Sequence, residues 1–256
     1  MMHLINKTLL TLVSALLLVS HAHSDTITIR SDVWFPMNGE PGSAQPGYMI
    51  ELAQTILSKH GHTVDYRLMP WERALNEVRL GTEDCVVGAY KEDAPDFIFP
   101  EEHWGMDNSA FYIKKGGPWR YTGLDSLDTI KLGVIGGYAY GDEFDEYVKQ
   151  NKHDNIQTVK GDNALEKNIK KVIAGRLTTF IDSPLVVAAK LKEMGMEGNI
   201  DEAGTLGDPS PMYIACSPVK PNSKDYIKLI DDGTKALRAS GELDAIMAKY
   251  GLKDWK

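Results

Sequence analysis

Hydrophobic positions along the chain switch repeatedly between a period of two and a period of about 3.6, and that switching predicts alternating strands and helices. Residues 26–30 alternate β-branched and polar side chains as a first strand, which runs into Asp32-Val33-Trp34-Phe35-Pro36 and ends at the proline. From Tyr48 onward, Met49, Leu52, Ala53, Ile56 and Leu57 recur at helical spacing, and Gly61 stops the helix. A strand over 64–68, a helix over 71–80 closed by Gly81, and a strand over 84–90 continue the rhythm. Such βαβ order implies a mainly parallel sheet covered by helices.

A second α/β unit begins with a strand over 131–135 that breaks at Gly136-Gly137, followed by a helix from Tyr140 or Gly141 to Gln150. A strand over 156–160 leads to a helix with Asp162 as its N-cap, Ala164, Leu165, Ile169, Val172 and Ile173 as its inner face, and Gly175 as its stop. A strand over 177–182 then feeds a helix capped by Ser183 with Pro184 in its first turn. One more strand over 212–216 and two helices, 222–240 and 241–250, finish the chain, with no internal repeat and no low-complexity linker.

The first residues have a different character. One lysine in 1–7, an apolar run over 8–20 and the small residues of Ala22-His23-Ser24 form a signal-peptide layout, with cleavage expected after Ser24. An uncleaved anchor is the plain alternative, although the run falls short of the roughly 20 apolar residues that span a bilayer. No later stretch is apolar enough to cross a membrane, and the expected location is the periplasm.

The chain has 28 basic and 36 acidic residues; the leader takes one lysine and no acid with it, leaving −9. That charge argues against a nucleic-acid partner. The mature length suits one large domain or two lobes. Cys85 and Cys216 each lie in a strand-like run and read as buried free thiols, with a disulfide as the open alternative.

The order of residues resembles a known family. Gly47-Tyr48 with Glu51-Leu52, then Trp71-x-Arg73-Ala74-Leu75, then Gly81 with Asp84-Cys85-Val86-Val87-Gly88 resemble the first lobe of family 3 extracellular solute-binding proteins. Gly133-Val134, Gly137-Tyr138-Ala139-Tyr140-Gly141, Ala174-Gly175-Arg176 with Ile181-Asp182, and the ending through Leu237, Gly241, Ile246 and Gly251 are similar to its second half. The resemblance implies an α/β, two-lobed periplasmic-binding-protein fold of type II, with two mixed or parallel sheets joined by a two-strand hinge. It implies one lobe from 25–108 plus 218–256 and another from 109–217, with crossings near 107–111 and 215–219. It further implies a monomer that captures a small polar ligand, an amino acid or a related compound, and delivers it to an ABC permease. Docking on a membrane sensor is the alternative partner.

Four segments fit a cleft between such lobes, because ligands of α/β sheets bind where strands end and backbone N–H groups converge. Trp34 and Phe35 follow the first strand, where the family commonly places an aromatic wall; core packing is the alternative use. Trp71 and Arg73 open a helix, and Arg73 is placed either to fork a carboxylate or to make a surface ion pair. Tyr90 ends the third strand. Gly137, Tyr138 and Tyr140 belong to a glycine-rich turn fit for an anionic group, or to a plain turn. Asp182 is where amino-acid binders of the family set an acid on the ligand's amine; helix capping is its ordinary alternative.

One departure stands out. Family members that bind amino acids usually carry a Thr-x-x-Arg segment after the strand of Gly88, whose arginine holds the α-carboxylate. Residues 88–96 here contain none. Lys91 and Arg73 are the substitutes at hand, and lysine does not reproduce arginine's planar two-point grip. Amines and modified amino acids therefore stay open as ligands.

Catalytic signatures are missing: no Gly-x-Ser-x-Gly elbow, no phosphate loop and no His-Glu-x-x-His helix. His60-x-His62 has no third metal ligand at suitable spacing and reads as an exposed turn. No cofactor or metal and no catalysis are expected. The enzyme alternative is a dehydratase on the same fold with Glu51 or Asp182 as general acid.

Overall fold

The computed structural model describes residues 24–151, 155–161 and 163–256. The leader and the Asp162 cap therefore lie outside the described residues. Within them the first sheet has the order β2-β1-β3-β9, from β1 (Thr26–Ser31), β2 (Thr63–Leu68), β3 (Cys85–Ala89) and β9 (Tyr213–Cys216). Its first three strands are parallel and β9 is antiparallel to β3. The second sheet has the order β6-β5-β7-β4-β8, from β4 (Met106–Lys114), β5 (Leu132–Ile135), β6 (Ile156–Val159), β7 (Thr179–Asp182) and β8 (Ile200–Pro211).

Helices α1 (Tyr48–Ser58), α2 (Trp71–Arg79), α6 (Ser223–Ser240) and α7 (Glu242–Lys249) accompany the first sheet; α3 (Asp142–Asn151), α4 (Ala164–Ile173) and α5 (Pro184–Met194) belong to the second. Helical spacing explains the packing. Leu52, Ala53 and Ile56 of α1 and Ile227 and Ile230 of α6 are buried with Ile27 and Ile29 of β1 in one cluster. Phe111 and Ile113 of β4, Leu132 and Val134 of β5, Ile181 and Phe144 form another around the second sheet. No helix among the described residues is long and apolar enough to cross a membrane.

The sheets are joined where the chain passes twice side by side. Trp104 donates its backbone N–H to the Met212 carbonyl (2.7 Å), and Met212 donates its own to the Gly105 carbonyl (3.0 Å). The fully buried Trp104 also donates Nε1–H to Thr234 Oγ1 of α6 (2.8 Å), tying this crossing to the first sheet's helices. Both crossings come a few residues before the expected segments: 107–111 already pairs within the second sheet, and Ala215 and Cys216 within the first.

The helices and most strands match the periodicity, but β4 is legible in the sequence only as a crossing and β8 not at all. β8 is an edge strand in which Ile200 and Ala203 alone are buried, and its register against β4 shifts at irregularities, so no sustained alternation marks it. The free-thiol reading is overturned: Cys85 and Cys216 face each other across β3 and β9 and form a disulfide. Antiparallel pairing of strands distant in sequence brings them together, which residue spacing cannot reveal.

This crosslink closes a loop of sequence separation 131, and both cysteines are buried. The double variant Cys85→Ser/Cys216→Ser should unfold about 2–5 kcal/mol more easily than the oxidised protein in urea melts. An unchanged midpoint would show that the crosslink contributes nothing.

Candidate functional site

The ends of β1, β3, β5 and β7 converge between the two sheets, and there the chain turns its polar side chains inward. Asp32 and Trp34 follow β1, Tyr90 and Asp93 follow β3, Tyr138 and Ala139 follow β5, and Asp182 closes β7. Four hydrogen bonds cross from one side to the other, the first from the Tyr90 hydroxyl to Asp107 Oδ2 of β4 (2.9 Å). Trp34 Nε1–H donates to Asp182 Oδ1 (3.4 Å), the Tyr138 hydroxyl donates to Asp32 Oδ2 (2.7 Å), and the Ala139 N–H donates to Asp93 Oδ1 (3.1 Å). A rim ion pair, Lys160 to Glu72 (2.6 Å), crosses as well.

Two glycines permit this approach. Gly88, at a register shift in β3 with φ +82°, lies so near Asn38 and Trp34 that a Cβ would come within 2.9 Å of Asn38 Oδ1 and 3.3 Å of the indole ring. Gly137, at φ +88°, sits over the first turn of α2, where a Cβ would meet Glu72 Cβ at 3.0 Å. Between Trp34, Trp71, Gly88 and Tyr138 the free space is only about 20 Å³. It widens to about 300 Å³ beside Asp32, Asp182 and Val186, and to about 610 Å³ beside Tyr90, Tyr140 and Leu206. The three spaces are neighbours with shared walls along the cleft: Tyr90 and Ala139 on one side of the central space, Asp32, Trp34 and Tyr138 on the other.

Of the residues that the sequence singles out, Trp34, Trp71, Tyr90, Tyr138 and Asp182 meet in this cleft, Gly137 forms its edge, and Tyr140 lines the larger space while its hydroxyl accepts the Ile135 N–H (2.9 Å). Phe35 is a correction: it packs on Tyr250 of the C-terminal segment, ring centroids 5.8 Å apart, and lines none of these spaces. Arg73 is another. Its side chain is 66 % exposed and pairs with Glu77 one helical turn on (3.4 Å), the surface alternative. Lys91 lies over the Tyr213 ring (5.2 Å), and Glu51 is bound by Lys249 and the Tyr250 hydroxyl, so neither reaches the cleft. Ser183 takes the N-cap position of α5 ahead of Pro184, as expected, but its hydroxyl donates to Asp107 Oδ1 (2.7 Å) and makes no capping hydrogen bond.

Sequence reasoning missed Asp32, Asn38, Asp93 and Asp107. Each sits in a loop or beside the crossing, where no periodicity marks a side chain as inward. The signal available was the missing arginine of 88–96, since within that stretch the charged side chain that reaches the centre of the cleft is Asp93. It accepts the Tyr90 N–H (2.8 Å), the Ala139 N–H and, at 3.5 Å, the Trp71 Nε1–H.

The model of bacterial extracellular solute-binding proteins, family 3, matches residues 27–253. The chain belongs to this family. It is 20 % identical over 227 residues to YxeM of Bacillus subtilis (strain 168), named as a probable amino-acid-binding protein, covering 86 % of this chain and 81 % of that one. It is 22 % identical over 214 residues to a probable histidine-binding protein of Neisseria gonorrhoeae, covering 81 % and 75 %. Among solved structures it shares its fold with a histidine kinase sensor domain similar to periplasmic binding proteins, at TM-score 0.74 and 18 % identity, covering 90 % and 97 %. The fold is thus the two-lobed periplasmic-binding-protein fold, and the family is one of binding proteins.

The cleft is rich in buried carboxyl groups. Burial pushes Asp93 and Asp182 up to about 7 and Asp107 up to about 6, despite the donors each accepts. Among the described residues none of the three has a lysine or arginine partner. Burial likewise raises the phenols of Tyr90, Tyr138 and Tyr140 well above their ordinary value, so they stay neutral donors. Asp182 is 2 % exposed, and while Oδ1 accepts the Ser183 N–H (2.8 Å), Oδ2 has no donor.

A carboxyl whose folded pKa is raised holds more protons folded than unfolded between about pH 4 and 7, so its contribution to stability falls as pH rises through that window. Asp182→Asn removes one such group while keeping the acceptor for Ser183. Its unfolding free energy relative to the parent should therefore rise by on the order of 1–3 kcal/mol from pH 4.5 to 8 without ligand. A difference flat with pH would show that Asp182 titrates normally.

Proposed function

We propose that the mature protein captures a small polar solute, an amino acid or a related compound, between its lobes in the periplasm and hands it unchanged to an ABC permease. The observation that carries this reading is the cleft itself: aromatic walls and carboxyls from both lobes converge on one site, bonded across the gap by Trp34–Asp182, Tyr138–Asp32 and Ala139–Asp93. Trp34, Trp71 and Tyr90 offer the first lobe's surface, and closure brings Tyr138 and Asp182 over the solute. A solute favours the closed form only through contacts it makes there and not in the open one. The absence of chemistry is part of the proposal: Glu51, one of the two candidate acids, is held away from the cleft by α7 and Tyr250, and Asp182 is engaged by Ser183 and Trp34. The protein acts as a monomer.

A second reading keeps the same cleft and changes the partner. The fold shared with a histidine kinase sensor domain suits a closed protein that docks on a membrane sensor.

The test is a thermal-shift screen of residues 25–256 against amino acids, amines, short organic acids and sugars, with mass spectrometry of each hit. A solute at 100 times its dissociation constant should stabilise the protein by about 2.7 kcal/mol and be recovered unaltered. No shift with any solute, or consumption of the hit, would reject the proposal.

A further inference from the structure

The chemistry of the solute can be narrowed from groups lining the cleft, and this step rests on the solute-binding reading above. Two buried oxygens in its wall have no donor. One is Asp182 Oδ2, beside the 300 Å³ space; the other is Asn38 Oδ1, beside the central one. Their residues are 2 % and 1 % exposed. The Asn38 amide has a determined orientation, because Nδ2 donates to the Asp32 carbonyl (2.7 Å) and the Ser31 hydroxyl (3.0 Å), leaving Oδ1 toward Gly88. Buried acceptors left unpaired cost free energy that an incoming donor recovers.

The donors at the centre of the cleft, by contrast, are already engaged. The Ala139 N–H, in the glycine-rich turn expected to meet an anionic group, donates to Asp93, and so does the Tyr90 N–H. Asp93 thus fills from within the protein the seat that an anionic ligand group would take. Arg73 and Lys91, the cations expected for a carboxylate clamp, are engaged outside it, and Lys190, the lysine that lines the wider space beside Asp182, is paired with Glu193 (2.7 Å). A ligand carboxylate would meet Asp93, Asp107 and Asp182 with neither free N–H groups nor a guanidinium to hold it, and like charges in so confined a space are strongly unfavourable. An ammonium or guanidinium carries donors only, and the π faces of Trp34, Trp71, Tyr90 and Tyr138 add attraction for a cation.

We propose that the solute is an organic cation without a free carboxylate, a primary diamine, a polyamine or a guanidino amine, and that Asp93 stands where an amino acid's α-carboxylate would otherwise sit. A cationic group reaches Asp182 Oδ2 in the wider space and a donor of the solute reaches the carbonyl of Asn38 at the centre, while the aromatic walls enclose the carbon chain.

Matched pairs that differ by one carboxylate test this directly: arginine against agmatine, lysine against cadaverine, ornithine against putrescine and histidine against histamine, each titrated calorimetrically into residues 25–256. In at least one pair the decarboxylated member should bind about 30-fold tighter or more. Equal or tighter binding by the amino acids would overturn the inference and leave the solute-binding reading intact. The inference is equally overturned if no pair binds while a neutral or anionic solute from the wider screen does; if no solute of any kind binds, both fall together. Asp182→Asn should weaken the amine about 30-fold. In Asp93→Ala, with folding checked by circular dichroism, opening the seat should narrow the gap within the pair about tenfold. A gap unchanged in the folded variant would overturn the role of Asp93.

Discussion

A carboxylate taken out of water loses hydration worth several kcal/mol and regains it only from a cation or from well-placed donors. Several such groups in one cleft make that requirement severe, and the arrangement around them follows from it. Asp93 is served by two backbone N–H groups, one from each lobe. Asp182 is served by the N–H of Ser183 and the indole of Trp34 across the gap, and Asp107 by the hydroxyls of Ser183 and Tyr90. Each carboxyl is thus solvated in part by the opposite lobe. On the closure proposed above, water would be exchanged for protein donors, and the balance of that exchange would be set by how many acceptors remain unpaired when the lobes meet.

The hinge is tied to the same balance. Asp107 comes directly after Met106, where the chain has just crossed, and both crossing segments are bonded to each other through Trp104, Gly105 and Met212. Trp104 is anchored to α6, and the Cys85–Cys216 disulfide pins β9 to β3 immediately beyond the second crossing. The crossing is thus tied to the first lobe, with Asp107 of the cleft only a few residues from it. Any solute that changes the charge balance of Asp107 acts next to the crossing itself.

The fold is largely legible in the sequence because it depends on periodicity: buried faces of α1, α4 and α6 repeat every three or four residues, and parallel strands announce themselves as short apolar runs. β8 is not, since an edge strand with two buried positions carries no alternation to read. The cleft is half legible. Aromatics near strand ends are conspicuous, which singles out Trp34, Trp71, Tyr90 and Tyr138; Phe35 stands out for the same reason and packs elsewhere, because adjacent residues point in different directions. Arg73 shows the limit most clearly. Its position at the start of α2 follows from the sequence, but on a helix the side chain one turn from Glu77 has a nearer partner than the cleft.

Belonging to a family transfers the scaffold and the motion more securely than it transfers the cargo. The relatives named for amino acids share about a fifth of their residues with this chain, which suffices to keep two sheets, two crossings and a cleft at the strand ends. The groups that choose a ligand are few and lie on loops, where exchange of a side chain costs the fold little. Residues 88–96 carry no arginine, and Asp93 turns inward there, bonded to the Tyr90 N–H of its own segment and to the Ala139 N–H of the facing turn; on the inference above, that exchange suits the site to a cation. The lobes would still close in the same way, but the solute that closes them has to bring protons on nitrogen where an amino acid would also bring a carboxylate.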